Sequence, residues 1–145
     1  GGMLAATMFE QCLYFNTTSL ARKLDRLWSA AFSPFGLTPS QAFLLRMILA
    51  GPGRHQSDLA REMNIAPATM SRTLDGLEKL GYVRRQVSSH DPRGMQVFAT
   101  EKAQSIGQAL EAASGSVTRR FKQLLSSEGF DDVVAQIRRV SEALE

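Results

Sequence analysis

The stretch SDLAREMNIAPATMSRTLDGLEKLGYVRR, Ser57 to Arg85, holds two helical patterns parted by a short break. Gln56 to Met63 reads as a short helix, Asn64 to Ala66 as a tight turn, and Pro67 to Leu80 as a longer helix that opens on proline, whose fixed φ suits the first helical position. Gly81 stops that helix, and Tyr82 to Val87 has the aromatic and β-branched content of a strand. Projected at about 100° per residue, Met70, Leu74 and Leu77 share one side, with Thr73 and Leu80 at its edge. Ala68, Ser71, Arg72, Asp75 and Lys79 lie opposite, so the outward side of this helix is short-chained and polar near its start.

Outward from this centre, Thr38 and Pro39 form an N-cap and first turn for a helix to Ala50, which Gly51, Pro52 and Gly53 end. Before it, Thr7 to Phe32 is helical, with Phe9, Leu13, Leu20, Leu24, Leu27 and Ala31 on one face. After it, Ser88 to Gly94 is a turn-rich tip and Met95 to Ala99 a second short strand, which completes a β-hairpin. Thr100 caps a long helix through about Leu125 that carries Ala103, Ile106, Leu110, Ala113, Val117, Phe121 and Leu124. Ser126 or Ser127 caps a last helix with Val133, Val134, Ile137, Val140 and Leu144. The expected fold is mainly α with a small β-hairpin wing: a winged helix-turn-helix with helical extensions.

At 145 residues the chain accommodates one compact domain but no separate catalytic domain beside it. Gly1 and Gly2, ahead of Met3, are read as an added dipeptide. Hydrophobic residues form 43% and charged residues 21%, a soluble globular composition. No apolar run approaches the roughly 20 residues that span a bilayer, and no signal peptide can be read, so no membrane partner and a cytoplasmic location are expected. Cys12 is the only cysteine, which excludes an internal disulfide and a multi-cysteine zinc site. His55 and His90 are the only histidines, and no phosphate loop, HExxH or GxSxG occurs, so neither an enzyme nor a bound cofactor is expected. The net charge of +3 is mildly favourable to nucleic acid, and its placement must carry the case.

The outward side of Pro67 to Leu80 suits a major groove. Small side chains let the backbone approach base edges, and Arg72 can donate two hydrogen bonds to guanine O6 and N7. Thr69 and Ser71 are placed for bases or phosphates. Gln56, Ser57 and the turn at Pro67 offer helix N-termini to phosphates, contacts that position rather than specify. Arg93, between Pro92 and Gly94, can extend from the hairpin tip into the adjacent minor groove. Arg84 and Arg85 sit at the hairpin base; Arg85 joins the DNA-facing set, and Asp91 is read as an acceptor that steadies a hairpin arginine such as Arg85.

GLTPSQAFLL (Gly36 to Leu45), the Ser57 to Arg85 stretch and DPRGMQVFATEK (Asp91 to Lys102) together resemble the MarR family of winged helix-turn-helix regulators, in order and over nearly the whole chain. Gly94 stands where many members carry a bulkier residue. The resemblance implies a homodimer, with residues 3–35 and 101–145 as its helical dimerisation region and 37–100 as the DNA-binding lobe of a single domain spanning 3–145. It would read an inverted-repeat operator in double-stranded DNA with half-sites roughly 34 Å apart. By position, Ala68, Thr69, Ser71 and Arg72 become base readers and Arg93 the wing-tip contact. Repression by blocking a promoter is the family's usual mode.

Many relatives release DNA when a small aromatic or phenolic acid binds between dimerisation helices and DNA-binding lobe. The equivalent region here would be lined by Phe9, Cys12, Phe15, Phe43 and Met47, with core packing as the competing reading. Asn16 falls near the centre of the first helix's apolar face, where a buried amide needs partners; a hydrogen bond across the dimer or a place in that pocket would supply them. Cys12 sits where the peroxide-responsive branch of the family has its sensing cysteine, although Asn16 and Arg26 stand where that branch has tyrosines. Redox regulation through Cys12 is therefore an alternative, and a winged-helix module that binds a protein instead of DNA is another.

Overall fold

The computed structural model describes residues 8–91 and 94–145. Helix α1 spans Leu13–Phe32, α2 Pro39–Ala50, α3 Gln56–Met63 and α4 Pro67–Lys79. Strands β1 (Arg54–His55), β2 (Val83–Val87) and β3 (Met95–Ala99) form one antiparallel sheet in the order β1-β3-β2. The last helix, α5, runs Glu101–Ala143 with a break at Ser126.

The caps read from the sequence fall where the helices begin. Thr38 Oγ1 accepts from Gln41 N–H at 3.2 Å while Gln41 Oε1 accepts from Thr38 N–H at 3.0 Å, a reciprocal pair that satisfies two otherwise orphaned donors. Thr100 Oγ1 accepts from Ala103 N–H at 3.3 Å and starts α5. At Ser126 the backbone turns to φ 66°, and its Oγ accepts from Gly129 N–H at 3.2 Å, so 127–143 starts as a newly capped helix, as the serine pair predicted.

The start of α1 differs from expectation. The predicted first residue, Thr7, lies outside the described residues, and the chain breaks from helix at 10–12 before α1 begins at Leu13. Asn16 supplies the reason: its Nδ2 donates to the carbonyls of Phe9 (3.3 Å), Glu10 (3.0 Å) and Cys12 (2.8 Å), which binds the preceding turn to the first turn of the helix. The amide expected to seek a partner across a dimer is thus satisfied within its own chain. Cys12 is the N-cap, with its Sγ accepting from Phe15 N–H at 3.5 Å.

The helix-turn-helix is closed by Asn64, which takes the left-handed conformation at φ 55° that asparagine tolerates. After α4, Gly81 at φ 83° lets Tyr82 N–H return to the Leu77 carbonyl at 2.9 Å. Tyr82, expected in the strand, instead precedes it and donates its hydroxyl to the Phe35 carbonyl at 2.9 Å. Strand β1 was not foreseen; it pairs Arg54 with Val97 and His55 with Gln96, and so ties the start of α3 to the hairpin.

Phe32, Leu44, Leu45, Ile48, Leu59, Met70, Leu74, Leu77, Val97 and Leu110 are fully buried, and they draw α1 to α5 and the sheet around one core. Trp28 of α1 donates to Ser114 Oγ of α5 at 3.2 Å and stacks on Phe121 with centroids 6.2 Å apart. Arg46 of α2 donates to the same Ser114 Oγ at 3.2 Å and grips Glu111 at 2.7 and 2.8 Å, so three helices meet on one polar knot. The Arg46 hydrogen bonds hold the Glu111 carboxyl below the usual carboxylate range, burial opposing them and the guanidinium charge adding to them. Elsewhere, apolar faces stay open. Leu13, Leu20, Val133, Val134, Ile137 and Val140 are all exposed in the single chain.

Candidate nucleic-acid interface

Helix α4 is anchored as its periodicity demands, with Met70, Leu74 and Leu77 each at 0% exposure. Ala68, Arg72, Asp75 and Lys79 are exposed on the other side, and Thr69 and Ser71 are half-buried between. Arg72 is steadied by a 3.4 Å contact from Nη2 to Thr69 Oγ1. Thr73 donates to the Thr69 carbonyl at 2.9 Å.

Among the described residues, neither α3 nor α4 has a side chain capping its N-terminus: the N-cap positions are His55 and Ala66. First-turn N–H groups of both helices are therefore open to an external acceptor, and the helix dipole favours an anionic one. Gln56 and Ser57 of α3 and Pro67 of α4 meet at a groove of about 710 Å³, closed on the far side by Gly94 and Met95 of the wing. Arg61 and Asn64 also line it. These two were missed in the sequence, although Ser57, Arg61 and Asn64 recur at helical spacing and so share one outer face.

The wing is held by local hydrogen bonds. Ser88, 4% exposed, accepts at Oγ from His90 N–H (3.2 Å) and Asp91 N–H (3.3 Å), while its own N–H reaches the Gly94 carbonyl at 2.8 Å. A side chain at 94 would collide with its neighbour: a Cβ there lies 2.6 Å from His55 Nδ1, so glycine lets the hairpin lie flat on that imidazole. Arg93, expected at the wing tip, lies outside the described residues. Arg84 lies over the Phe98 ring at 4.4 Å from the centroid and is exposed.

Among the described residues, Arg85 is steadied from α4 and not by Asp91. Its carboxylate partners come from α4: Asp75, and Glu78 at 3.3 Å. The Glu78 hydrogen bond raises the guanidinium pKa above its ordinary value, burial opposes this, and Asp75 adds to it. Asp75 and Glu78 lie ten and seven residues before Arg85 in sequence, and the packing of β2 on α4 brings them to it.

The six residues expected around an effector separate into two places. Phe9 and Phe15 meet at a tilt of 35° with centroids 5.5 Å apart beside Cys12 and Asn16, at the start of α1. Phe43 meets Phe32 edge-on at 5.7 Å, and Met47 packs on the central core. Phe43 instead lines a groove of about 400 Å³ with Ala21, Leu24, Asp25 and Trp28. Phe15 and Trp28 sit thirteen residues apart on one helix, roughly 20 Å at 1.5 Å per residue.

A paired-helix reader with an antiparallel wing defines a winged helix-turn-helix protein. Residues 35–94 match the MarR family. The chain is 30% identical over 115 residues to an HTH-type transcriptional repressor of Mycobacterium bovis, covering 71% of this chain and 83% of that one. Among solved structures, the transcriptional repressor CouR bound to a 23-mer DNA duplex superposes with a TM-score of 0.82 at 23% identity, over 94% of this chain and 96% of that one. The S. aureus MepR–DNA complex gives 0.83 at 18% identity, over 92% and 98%. The chain belongs to the MarR family of transcriptional regulators.

Proposed function

We propose that this regulator is a repressor that reads double-stranded DNA as a homodimer, placing one α4 in each half of an inverted-repeat operator. The observation that carries this is the division of α4: three side chains at 0% exposure fix its inner side, and Ala68, Arg72 and their half-buried neighbours Thr69 and Ser71 form an open outer side. The adjoining groove, with two uncapped helix N-termini at its floor, suits a sugar–phosphate strand beside the bases. CouR and MepR, which share the fold, are both seen on DNA.

Support for the homodimer comes from the open apolar faces of α1 and 127–143, since exposed patches of this kind mark protein contacts. Residues 3–35 and 101–145 then form the dimerisation region and 37–100 the DNA-binding lobe. For release, a small aromatic or phenolic acid is the proposed effector. The groove beside Trp28 and Phe43 supports that chemistry, with Arg46 5.1 Å from the Phe43 ring. Affinity for a duplex selected from a random pool tests the central reading: it should fall steeply with salt as counterions are released. Binding that is absent, or indifferent to salt, refutes it.

A further inference from the structure

Arg85 is less exposed than either carboxylate that it binds. Its side chain is 15% exposed, while the carboxylates that cover it, Asp75 and Glu78, are 62% and 44% exposed. All three guanidinium nitrogens are engaged: Nη2 donates to Asp75 Oδ1 and, at 3.3 Å, to Glu78 Oε1; Nε donates to Glu78 Oε2 at 3.3 Å; Nη1 reaches Gln56 Oε1 at 3.5 Å. A phosphate approaching this corner would meet the carboxylates before the guanidinium. Asp75 also shares the outward side of α4 with Ala68 and Arg72, so its charge stands at the edge of the surface offered to DNA. Left uncompensated, two carboxylates there would repel the duplex, because like charges brought together across an interface oppose binding.

We propose that Arg85 is a positioning residue for DNA binding that works through Asp75 and Glu78, offsetting one of their two negative charges and pinning the base of the wing to α4 and to the start of α3, without touching the duplex. This rests on the DNA-binding reading above. A planar fork suits the task, since one lysine ammonium could not serve three acceptors from two helices in fixed directions.

The test is a mutant cycle on the full chain, with a duplex recovered by selection with the wild-type protein as probe. Arg85→Gln is measured in the wild type and in a background carrying Asp75→Asn and Glu78→Gln. The expected loss of affinity is about tenfold in the wild type and less than about threefold in the neutralised background, with the slope of log K against log salt unchanged in the neutralised background, where no carboxylate repulsion is released. An equal loss in the two backgrounds, with the slope shallower by about 0.9 as for a lost phosphate contact, overturns the proposal. If Arg85→Gln does not fold by circular dichroism, Arg85→Lys decides: a loss of about fivefold at the wild-type slope supports positioning, and wild-type affinity overturns it. A wild-type protein that binds no duplex at any salt overturns the DNA-binding reading and this inference together. One that binds, but gives additive losses, overturns this inference alone.

Discussion

Removing the Arg72 side chain separates recognition from folding. Arg72 is exposed, and its contact within the chain is a 3.4 Å approach to Thr69 Oγ1, so Arg72→Ala should change stability by no more than about 0.5 kcal/mol. On DNA, a bidentate pairing with guanine discriminates by about 1–3 kcal/mol. A homodimer on an inverted repeat loses the pairing twice, or about 2–6 kcal/mol, roughly 30-fold to 20,000-fold in affinity. Scrambling one half-site should reduce that loss to about 1–3 kcal/mol, because a single pairing then remains to be lost. The assay is fluorescence anisotropy at fixed salt on three duplexes: the selected repeat, the repeat with one half scrambled, and a mixed sequence. The loss should be largest on the first and least on the last. Equal losses on all three would show that Arg72 only contributes charge, and a fall in melting temperature of several degrees would show that it supports the fold.

Leu74→Ala should destabilise the protein by about 2–5 kcal/mol, since a fully buried leucine leaves a cavity between α4 and the core; a denaturant melt unchanged from wild type would contradict that packing. Gly94→Val should weaken DNA binding about tenfold or more while costing roughly 1–3 kcal/mol of stability, by driving His55 from its place beside the wing, and His55→Ala should restore much of the loss. Glu111→Gln tests the polar knot by pH. The Arg46 contact lowers the folded-state carboxyl pKa, so its stabilisation is present at neutral pH and disappears as pH falls through the glutamate range and below it. Glu111 is 61% exposed and solvent-screened, so wild type should exceed the variant by less than about 1 kcal/mol near neutrality and converge on it as pH falls below the glutamate range. Ile137→Asp, on the open face of 127–143, should shift a sedimentation profile from dimer toward monomer, and an unaltered profile would remove that face from the proposed interface.

The features legible in the sequence are those that one element can specify by itself. The burial of Met70, Leu74 and Leu77 follows from spacing, and the caps Thr38, Thr100 and Ser126 follow from side chains that reach backbone three residues on. Strand β1 escaped notice because two residues cannot display an alternation. The early break before α1 depended on Asn16 gathering three carbonyls, a choice that periodicity does not record. At the candidate interface, the face of α4 could be projected, but the partners of Arg85 were decided by how β2 packs on α4. The expected effector set separated for a similar reason. Phe43 faces Trp28 well along α1, whereas Phe9 and Phe15 close on each other at its start.

The most direct measurement places a photo-crosslinking side chain at position 68, on the exposed side of α4, and irradiates the protein with its selected duplex. Covalent adducts to DNA within each half-site, competed away by unlabelled duplex, are the predicted result. Adducts to protein alone would contradict the account, because they would put another polypeptide where the major groove is meant to lie.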